Sequence, residues 1–434
     1  MELSDKYTKT DGSIWIGGVQ AIVRLLLEQS QLDRKKGVRT AGFVSGYRGS
    51  PLGGVDQALS REANRLKGAN IHFEPGVNED LAATAVWGTQ QTNLYAGAQY
   101  EGVFGLWYGK SPGLDRSGDV FRHANNAGVS QYGGVVAIVG DDPACKSSTL
   151  PSASAGPLRE FQVPVLVPSD VEDLIRLGLA GWALSRYSGC WAALTAVTAV
   201  MDSAASVPLE AINRNFIEPT HHFEPHIRLL DTPREQEARM IQKLELALKF
   251  SAANNLNDIV VDSPNPLATL VGTGKAFADL RQALLDLGFD NDTKLSEAGI
   301  RLVKMGMVWP LDVSDLRGLL RDSKRVLVVE GKGNFLEEAL KATLYGANAP
   351  EIRGKSDDFE SYLLATTGEP NSDDILQLLV RYFLDVGVAL PVPLDLGLRY
   401  ASPEIESPPP ANESRKPLFC PGCPHSVSTM IPEG

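Results

Sequence analysis

The segment that most constrains this chain is a short apolar run that stops abruptly in glycine and proline. Residues 39–47 read RTAGFVSGY and residues 48–54 read RGSPLGG. The first suits a buried strand. The second can prolong neither strand nor helix, because glycine and proline punctuate both. It is therefore a loop leaving the carboxyl end of a strand, the edge at which open parallel sheets bind ligands. Upstream, residues 17–33 repeat apolar side chains at Val19, Ile22, Val23, Leu26 and Leu27, a spacing that predicts a helix. Downstream, runs at 71–75, 102–107, 134–139, 163–167 and 190–197 predict strands, with helices over 78–98 and 171–185. Strands alternating with helices imply a parallel α/β sheet covered on both faces.

This alternation stops at about Val207. Residues 209–235 are rich in histidine, proline and asparagine and read as a linker, and 234–253 as a spacer helix. A second α/β unit follows, with strands expected at 259–261, 268–271, 300–304 and 325–330 and a helix at 275–287, ending near Val386. Residues 391–417 hold proline, glutamate and serine, including SPPP at 407–410, the composition of a linker. The stretch LFCPGCPHSVSTMIPEG at 418–434 opens a further unit. No internal repeat is evident. The expected division is thus 1–208, 209–254, 255–388, 389–417 and 418–434.

With 434 residues, 43% of them hydrophobic, there is material for two or three cored domains. A net charge of −12 argues against nucleic acid and against an anionic membrane as partners, though a local basic pocket remains compatible with it. The first residues lack the basic and apolar segments of a secretory signal, and no apolar run approaches the ~20 residues that span a bilayer. A soluble, cytoplasmic protein is expected. Cys145 and Cys190 are isolated and read as small buried apolar groups, whereas Cys420 and Cys423 form a C-x-x-C pair.

Four motifs in order carry a resemblance: GYRGSPLGG at 46–54, GVNEDLAATAVWGTQ at 76–90, WYGKSPGLDRSGDVFRHAN at 107–125 and GDDPACKSST at 140–149. Together they resemble the pyrimidine-binding domain of the indolepyruvate ferredoxin oxidoreductases, notably the long fused bacterial form. VGTGKAFADL at 271–280, LVKMGMVWPLD at 302–312 and VLVVEGK at 326–332 look like a transketolase C-terminal-type domain. Gly331 stands where that family usually has a second acidic residue. FCPGCPH at 419–425 is similar to the opening of a domain that binds the diphosphate of thiamine diphosphate, so the resemblance implies a chain cut off where that domain begins. The implied fold is α/β: a thiamine-enzyme pyrimidine-type parallel-sheet domain over 1–208, then a transketolase C-terminal-like domain over 255–388.

The resemblance implies oxidative decarboxylation of a 2-oxoacid, of the arylpyruvate class in the indolepyruvate branch. Coenzyme A would take the acyl group and ferredoxin the electrons through iron–sulfur chemistry. It implies thiamine diphosphate with Mg2+, the metal site lying in the missing domain, and further catalytic domains or a subunit as partners in a homo-oligomer. By itself the chain is then expected to be inactive.

Residue by residue, the motif places Glu79 as the carboxylate on the aminopyrimidine ring nitrogen, favouring the imino form that deprotonates the thiazolium. The plainer reading is a helix-start glutamate favoured by the macrodipole, and Glu74 and Asp80 are the neighbouring competitors. Gly49 would let backbone approach the cofactor. Ser50 and Arg48 would meet the substrate carboxylate, a guanidinium gripping it bidentately. Arg48 equally suits an exposed loop. Lys110, Arg116 and Arg122 would attract an anionic 2-oxoacid or coenzyme A phosphates, or else pair with Asp115 and Asp119. His123 reads as structural. Asp141 and Asp142 are not assigned to metal, and GTGK at 272–275 lacks the spacing of a nucleotide phosphate loop. Cys420 and Cys423 would ligate an iron–sulfur cluster in a complete protein, or form a zinc knuckle or a free thiol pair. Two alternatives stay open: a non-oxidative thiamine enzyme subunit, which would have no use for FCPGCPH, and a non-catalytic truncated remnant.

Overall fold

A computed structural model describes residues 2–148, 150–212, 214–229, 232–346, 349–355, 364–391 and 430. In chain order the strands are β1 (Ser13–Gly17), β2 (Thr40–Gly46), β3 (Ile71–Phe73), β4 (Gly102–Lys110), β5 (Val135–Asp141), β6 (Val165–Leu166), β7 (Ala192–Val197) and β8 (Ala204–Pro208). The later ones are β9 (Asn257–Val261), β10 (Ala268–Thr273), β11 (Ile300–Met305), β12 (Met307–Trp309), β13 (Arg325–Val329) and β14 (Glu351–Arg353). They make two larger sheets, ordered β12-β6-β7-β5-β4-β2-β3 and β14-β13-β10-β11-β9, and a ribbon of β1 with β8. The fold is mixed α/β, parallel apart from the ribbon, β12 and β9. Among the described residues no helix is long and apolar enough to cross a membrane.

β5 lies inside the first sheet and is buried along its whole length, as its unbroken apolar run requires. One face of that sheet is covered by the helices Gly18–Lys35 and Val171–Ser188, whose Ile22, Leu25 and Leu26 meet Leu174, Ile175 and Leu177 in one core. On the other face Trp107, Phe121 and Trp191 pack edge to face, with centroids 4.9 and 5.1 Å apart. This second core runs on without a break into Val271, Val303 and Val328 of the second sheet.

Four features depart from the expected pattern. The helix expected over 78–98 ends at Gln90. The Gln90 side chain is buried, donates to the Val103 carbonyl (2.8 Å) and accepts from Gly134 N (3.0 Å), and these bonds turn the chain into the sheet edge. The helix Pro233–Ala253 is no free spacer. Its Met240, Ala247 and Phe250 are buried, and the fully buried Lys243 donates to the carbonyls of Asn125 and Asn126 at the end of the helix Gly118–Ala127. The stretch before it is tied down too, since Arg239 donates to the carbonyls of Glu224 and His226. Finally, MVW at 307–309 leaves the second unit. β12 pairs antiparallel with β6, Met307 opposite Leu166, after Val167 N has bonded the Gly306 carbonyl at 2.8 Å.

After β13, Glu330 leads into the helix Phe335–Leu344 and caps it, accepting from Leu336 N (2.8 Å) and Glu337 N (2.9 Å). Burial outweighs these bonds and pushes its carboxyl from the ordinary 4.5 up to about 7. The folded chain then keeps a proton that the unfolded chain has lost between those two values. Stability therefore falls as pH rises through that window and levels off above it. Glu330→Gln is expected to remove this part of the fall, up to about 1.4 kcal/mol per pH unit. The buried Asp141, raised to about 6, would leave a residual slope. Urea melts from pH 4.5 to 8 test this, and an unchanged slope in the variant would refute it.

Candidate functional site

β2 and β4 run side by side in parallel with Gly46 opposite Tyr108, so the loops that follow them leave the same sheet edge together. Tyr47 N donates to the Tyr108 carbonyl at 3.0 Å, and Gly76 N to the Gly46 carbonyl at 2.8 Å. The second bond brings the helix Glu79–Gln90 to this edge. Asn78 caps the helix, its side chain accepting from Leu81 N at 2.8 Å. Trp107 Nε1 donates to the Glu79 carbonyl at 3.0 Å and fixes the first helical residue against β4.

The Glu79 side chain is 15% exposed. It lies against Gly113, in the short helix Ser111–Arg116 that follows β4. A Cβ at Gly113 would stand 2.7 Å from Glu79 Oε1 and 2.8 Å from its Cδ, so only glycine leaves room for the carboxylate. The last residue of that helix, Arg116, places Nη1 3.9 Å from Glu79 Oε2. The carboxylate is thus mostly covered, with one oxygen against a bare backbone and the other near a guanidinium.

Beside it the two loops touch. A Cβ at Gly49 would meet Lys110 Cβ at 3.3 Å. Ser50 is half-buried and Arg48 exposed on the same loop. The structure therefore brings Glu79 and Arg116 together, and Gly49 and Lys110, on neighbouring turns of one edge. Arg122 does not join them: it donates to Glu160 and lies over the Phe161 ring at 4.9 Å. His123 stacks on Trp87 with centroids 6.3 Å apart. Glu74 is exposed beside His72. Asp142 accepts from the backbone N–H of Lys146, Ser147 and Ser148, bonds that hold its carboxyl down at about 2 against the cost of its desolvation. It is an anchor for its loop. Among the described residues no group of three or more His, Cys, Asp or Glu is arranged to hold a metal. Cys420 and Cys423 lie outside the described residues.

Sequence reasoning missed Gly113, whose only local sign is the Ser-Pro-Gly turn after a strand. It also missed an apolar rim, with Tyr47, Val77 and Leu81 38%, 81% and 52% exposed around the start of the Glu79 helix. Val77 and Leu81, apolar residues two positions either side of Glu79, were the available signal.

Residues 257–386 match the indolepyruvate ferredoxin oxidoreductase middle domain. The indolepyruvate oxidoreductase subunit IorA of Methanothermobacter thermautotrophicus is 26% identical over 433 residues, 98% of this chain and 61% of that protein. Together these matches support the amino-terminal portion of an indolepyruvate ferredoxin oxidoreductase. The same subunit of Pyrococcus abyssi is 25% identical over 418 residues, 94% of this chain and 57% of its own length. The chain thus spans about three fifths of the curated relatives it matches. In fold it is similar to the 2-oxoglutarate:ferredoxin oxidoreductase of Magnetococcus marinus, solved with 2-oxoglutarate, coenzyme A and succinyl-CoA bound. That likeness has a TM-score of 0.62 at 12% identity and covers 87% of this chain and 66% of the other. The matched middle domain runs from β9 to the end of the helix Ser372–Val386.

Proposed function

We propose that this chain supplies the pyrimidine side of a thiamine diphosphate site in a 2-oxoacid:ferredoxin oxidoreductase acting on arylpyruvates in the cytoplasm. Residues 1–208 would form the pyrimidine-type domain and 255–388 the transketolase C-terminal-like domain. The observation that carries the reading is the Glu79 carboxylate, held at a helix start against Gly113 on the ligand-binding edge of the sheet. A polar ring nitrogen could reach that carboxylate because no side chain covers it from Gly113, and the exposed Tyr47, Val77 and Leu81 offer an apolar surface beside it. These residues fit the group.

When bound, thiamine diphosphate supplies the electron sink that decarboxylation of a 2-oxoacid needs. Glu79, its side chain 15% exposed, would hold a proton at the ring nitrogen. Gly49 allows the backbone to approach. Arg48 and Ser50 take the substrate carboxylate, and Lys110 and Arg116 raise the local positive potential for an anion in a chain of net charge −12. Residues from outside this chain would complete the site and hold the diphosphate with Mg2+, in keeping with the greater length of the relatives. The chain alone would therefore be inactive. In the complete protein, which we take to be a homo-oligomer, Cys420 and Cys423 would hold an iron–sulfur cluster. Coenzyme A takes the acyl group and ferredoxin the electrons.

The test is an anaerobic assay of the complete protein carrying this chain, with indolepyruvate, pyruvate and 2-oxoglutarate offered in turn. Ferredoxin reduction that depends on coenzyme A and is fastest with indolepyruvate is expected. Release of CO2 and aldehyde without electron transfer would establish the non-oxidative alternative. No turnover and no cofactor binding would establish a non-catalytic remnant.

A further inference from the structure

At the edge of the first sheet opposite Glu79, the histidine- and proline-rich segment between the two units borders a separate cavity. Val38 and Tyr132, which precede β2 and β5, line it with Leu32, Leu179 and Ala183 of the two helices on that face. Its volume is about 500 Å³, within the ~300–1,000 Å³ of small-molecule sites. Glu218, His221, Glu224 and His226 of the segment form another wall.

Uncharged groups pin this segment at both ends. The Asn254 side chain accepts from Ile217 N and donates to the Ile217 carbonyl, each at 2.8 Å. Ile227 N donates to the Val129 carbonyl at 2.9 Å. Between the pins, Tyr187 Oη donates to the Pro219 carbonyl at 2.8 Å, and Arg239 holds the carbonyls of Glu224 and His226. The His226 ring supplies a further tie. Its Nδ1 stands 2.6 Å from Glu224 Oε1 and its Nε2 2.8 Å from the Arg186 carbonyl oxygen. Tyrosine and arginine keep their protonation state between pH 5 and 8, whereas histidine does not.

Both partners of the ring accept. Against the cost of desolvation, the hydrogen bond from His226 holds the Glu224 carboxyl below its ordinary value, so it stays a carboxylate. Only a doubly protonated ring donates to a carboxylate and a carbonyl at once; the neutral ring turns a lone pair on one of them. Arg186 lies in the last turn of the helix Val171–Ser188, an end that favours a cation. The charges on the neighbouring elements are engaged elsewhere. Asp33 of the helix Gly18–Lys35 holds the Arg186 guanidinium at 2.6 and 2.8 Å, and Lys243 of the helix Pro233–Ala253 donates to carbonyls, as Arg239 does. Lys36 and Glu218 face the same cavity, as does His221, whose ring stands edge-on to Tyr187 at 5.1 Å.

We propose that residues 218–226 form a proton-gated flap on this cavity, latched by the doubly protonated His226 ring and loosened when that ring becomes neutral. The latch is complete at low pH, and one of its two bonds is lost as pH rises through the range in which histidine ionises, roughly 5 to 8. The flap lies at the edge away from Glu79, so it does not depend on the proposed activity.

Hydrogen–deuterium exchange of the full chain, corrected for the intrinsic pH dependence of amide exchange, reads the flap through the peptide 216–228. His226→Gln keeps a donor for the Arg186 carbonyl at every pH and is the reference, which cancels groups elsewhere such as Asp141 and Glu330. Relative to it, protection of the parent peptide is expected to fall about tenfold from pH 5.5 to pH 8, the size of one lost charge-assisted hydrogen bond. Glu224→Gln can present either its oxygen or its amino group to Nδ1, so it suits both ring states and should lose most of that fall. Glu224 is exposed, and this variant should melt like the parent. The 15N shifts of the His226 ring should show two protonated nitrogens at pH 5.5 and one at pH 8. A ratio of parent to His226→Gln protection that is the same at both pH values would overturn the proposal. So would a full fall in Glu224→Gln, or a His226 ring that carries a single proton at pH 5.5.

Discussion

Glu79→Gln in the complete protein that carries this chain is expected to cut turnover by ~100- to 10,000-fold, the usual span for a lost acid–base group. The amide keeps the size of the side chain and its contact with Gly113, but it cannot hold a shared proton on a ring nitrogen. Substrate affinity should change far less, because the carboxylate is placed against the cofactor. Asp80→Asn, one residue on, is expected to be mild: Asp80 lacks the Gly113 cradle and the proximity to Arg116 that Glu79 has. The rate of thiazolium C2 proton exchange, followed by NMR, separates the two. A parent-like rate in Glu79→Gln with a slow one in Asp80→Asn would mean the wrong carboxylate has been chosen. Parent-like rates in both would return Glu79 to the role of a helix-start charge that complements the macrodipole.

Gly113→Ala should be nearly as damaging to turnover, although it adds one methyl group outside the reacting set. The new Cβ would stand within 2.8 Å of the Glu79 carboxyl carbon, too close for both to stay. The short helix cannot easily withdraw, since its Leu114 is fully buried in the second core. The carboxylate must therefore move, and a displacement of about 1 Å at a reacting centre can cost ~100-fold. Gly88→Ala, on the Glu79 helix at a position with nothing within 4 Å, is the control. It should leave turnover unchanged and stabilise the helix by up to about 1 kcal/mol. Gly113→Ala at parental turnover, with its melting point unchanged, would show that the contact does not position Glu79.

Apart from β12 and β14, the strands of both larger sheets were legible because each is a short apolar run closed by glycine, proline or a polar turn. The ligand-binding edge was legible too, since RGSPLGG can only be a loop. Glu79 could be singled out from its motif, but its surroundings could not. The glycine that cradles it belongs to the loop after another strand, and only the β2–β4 pairing with the Gly76–Gly46 bond brings the two together. Helix ends were blurred wherever a side chain acts at a distance, as Gln90 does in halting its helix against the Val103 carbonyl. The ribbon of β1 and β8 joins segments far apart in the chain, and neither announces its partner. β12 escaped for a subtler reason. MVW continues the apolar run of β11 across a single glycine, and periodicity cannot say that the chain has changed sheets there.

That change of sheets has a consequence for how the protein can be divided or inherited. β6 has only two residues, and β12 closes it as the edge strand of the first sheet. A piece ending at residue 254 would present a naked β6, with peptide groups ready to pair with a neighbouring molecule. A homologous second half spliced on in its place would have to bring a strand of matching length and register, or leave that flank open. The two sheets are separable on paper by the histidine- and proline-rich stretch between them, yet they are stitched shut by three residues returned from the later half to the earlier one. Shuffling of genes should therefore have moved them as a single cassette, with exchange tolerated at the ends of the pair and penalised in its middle.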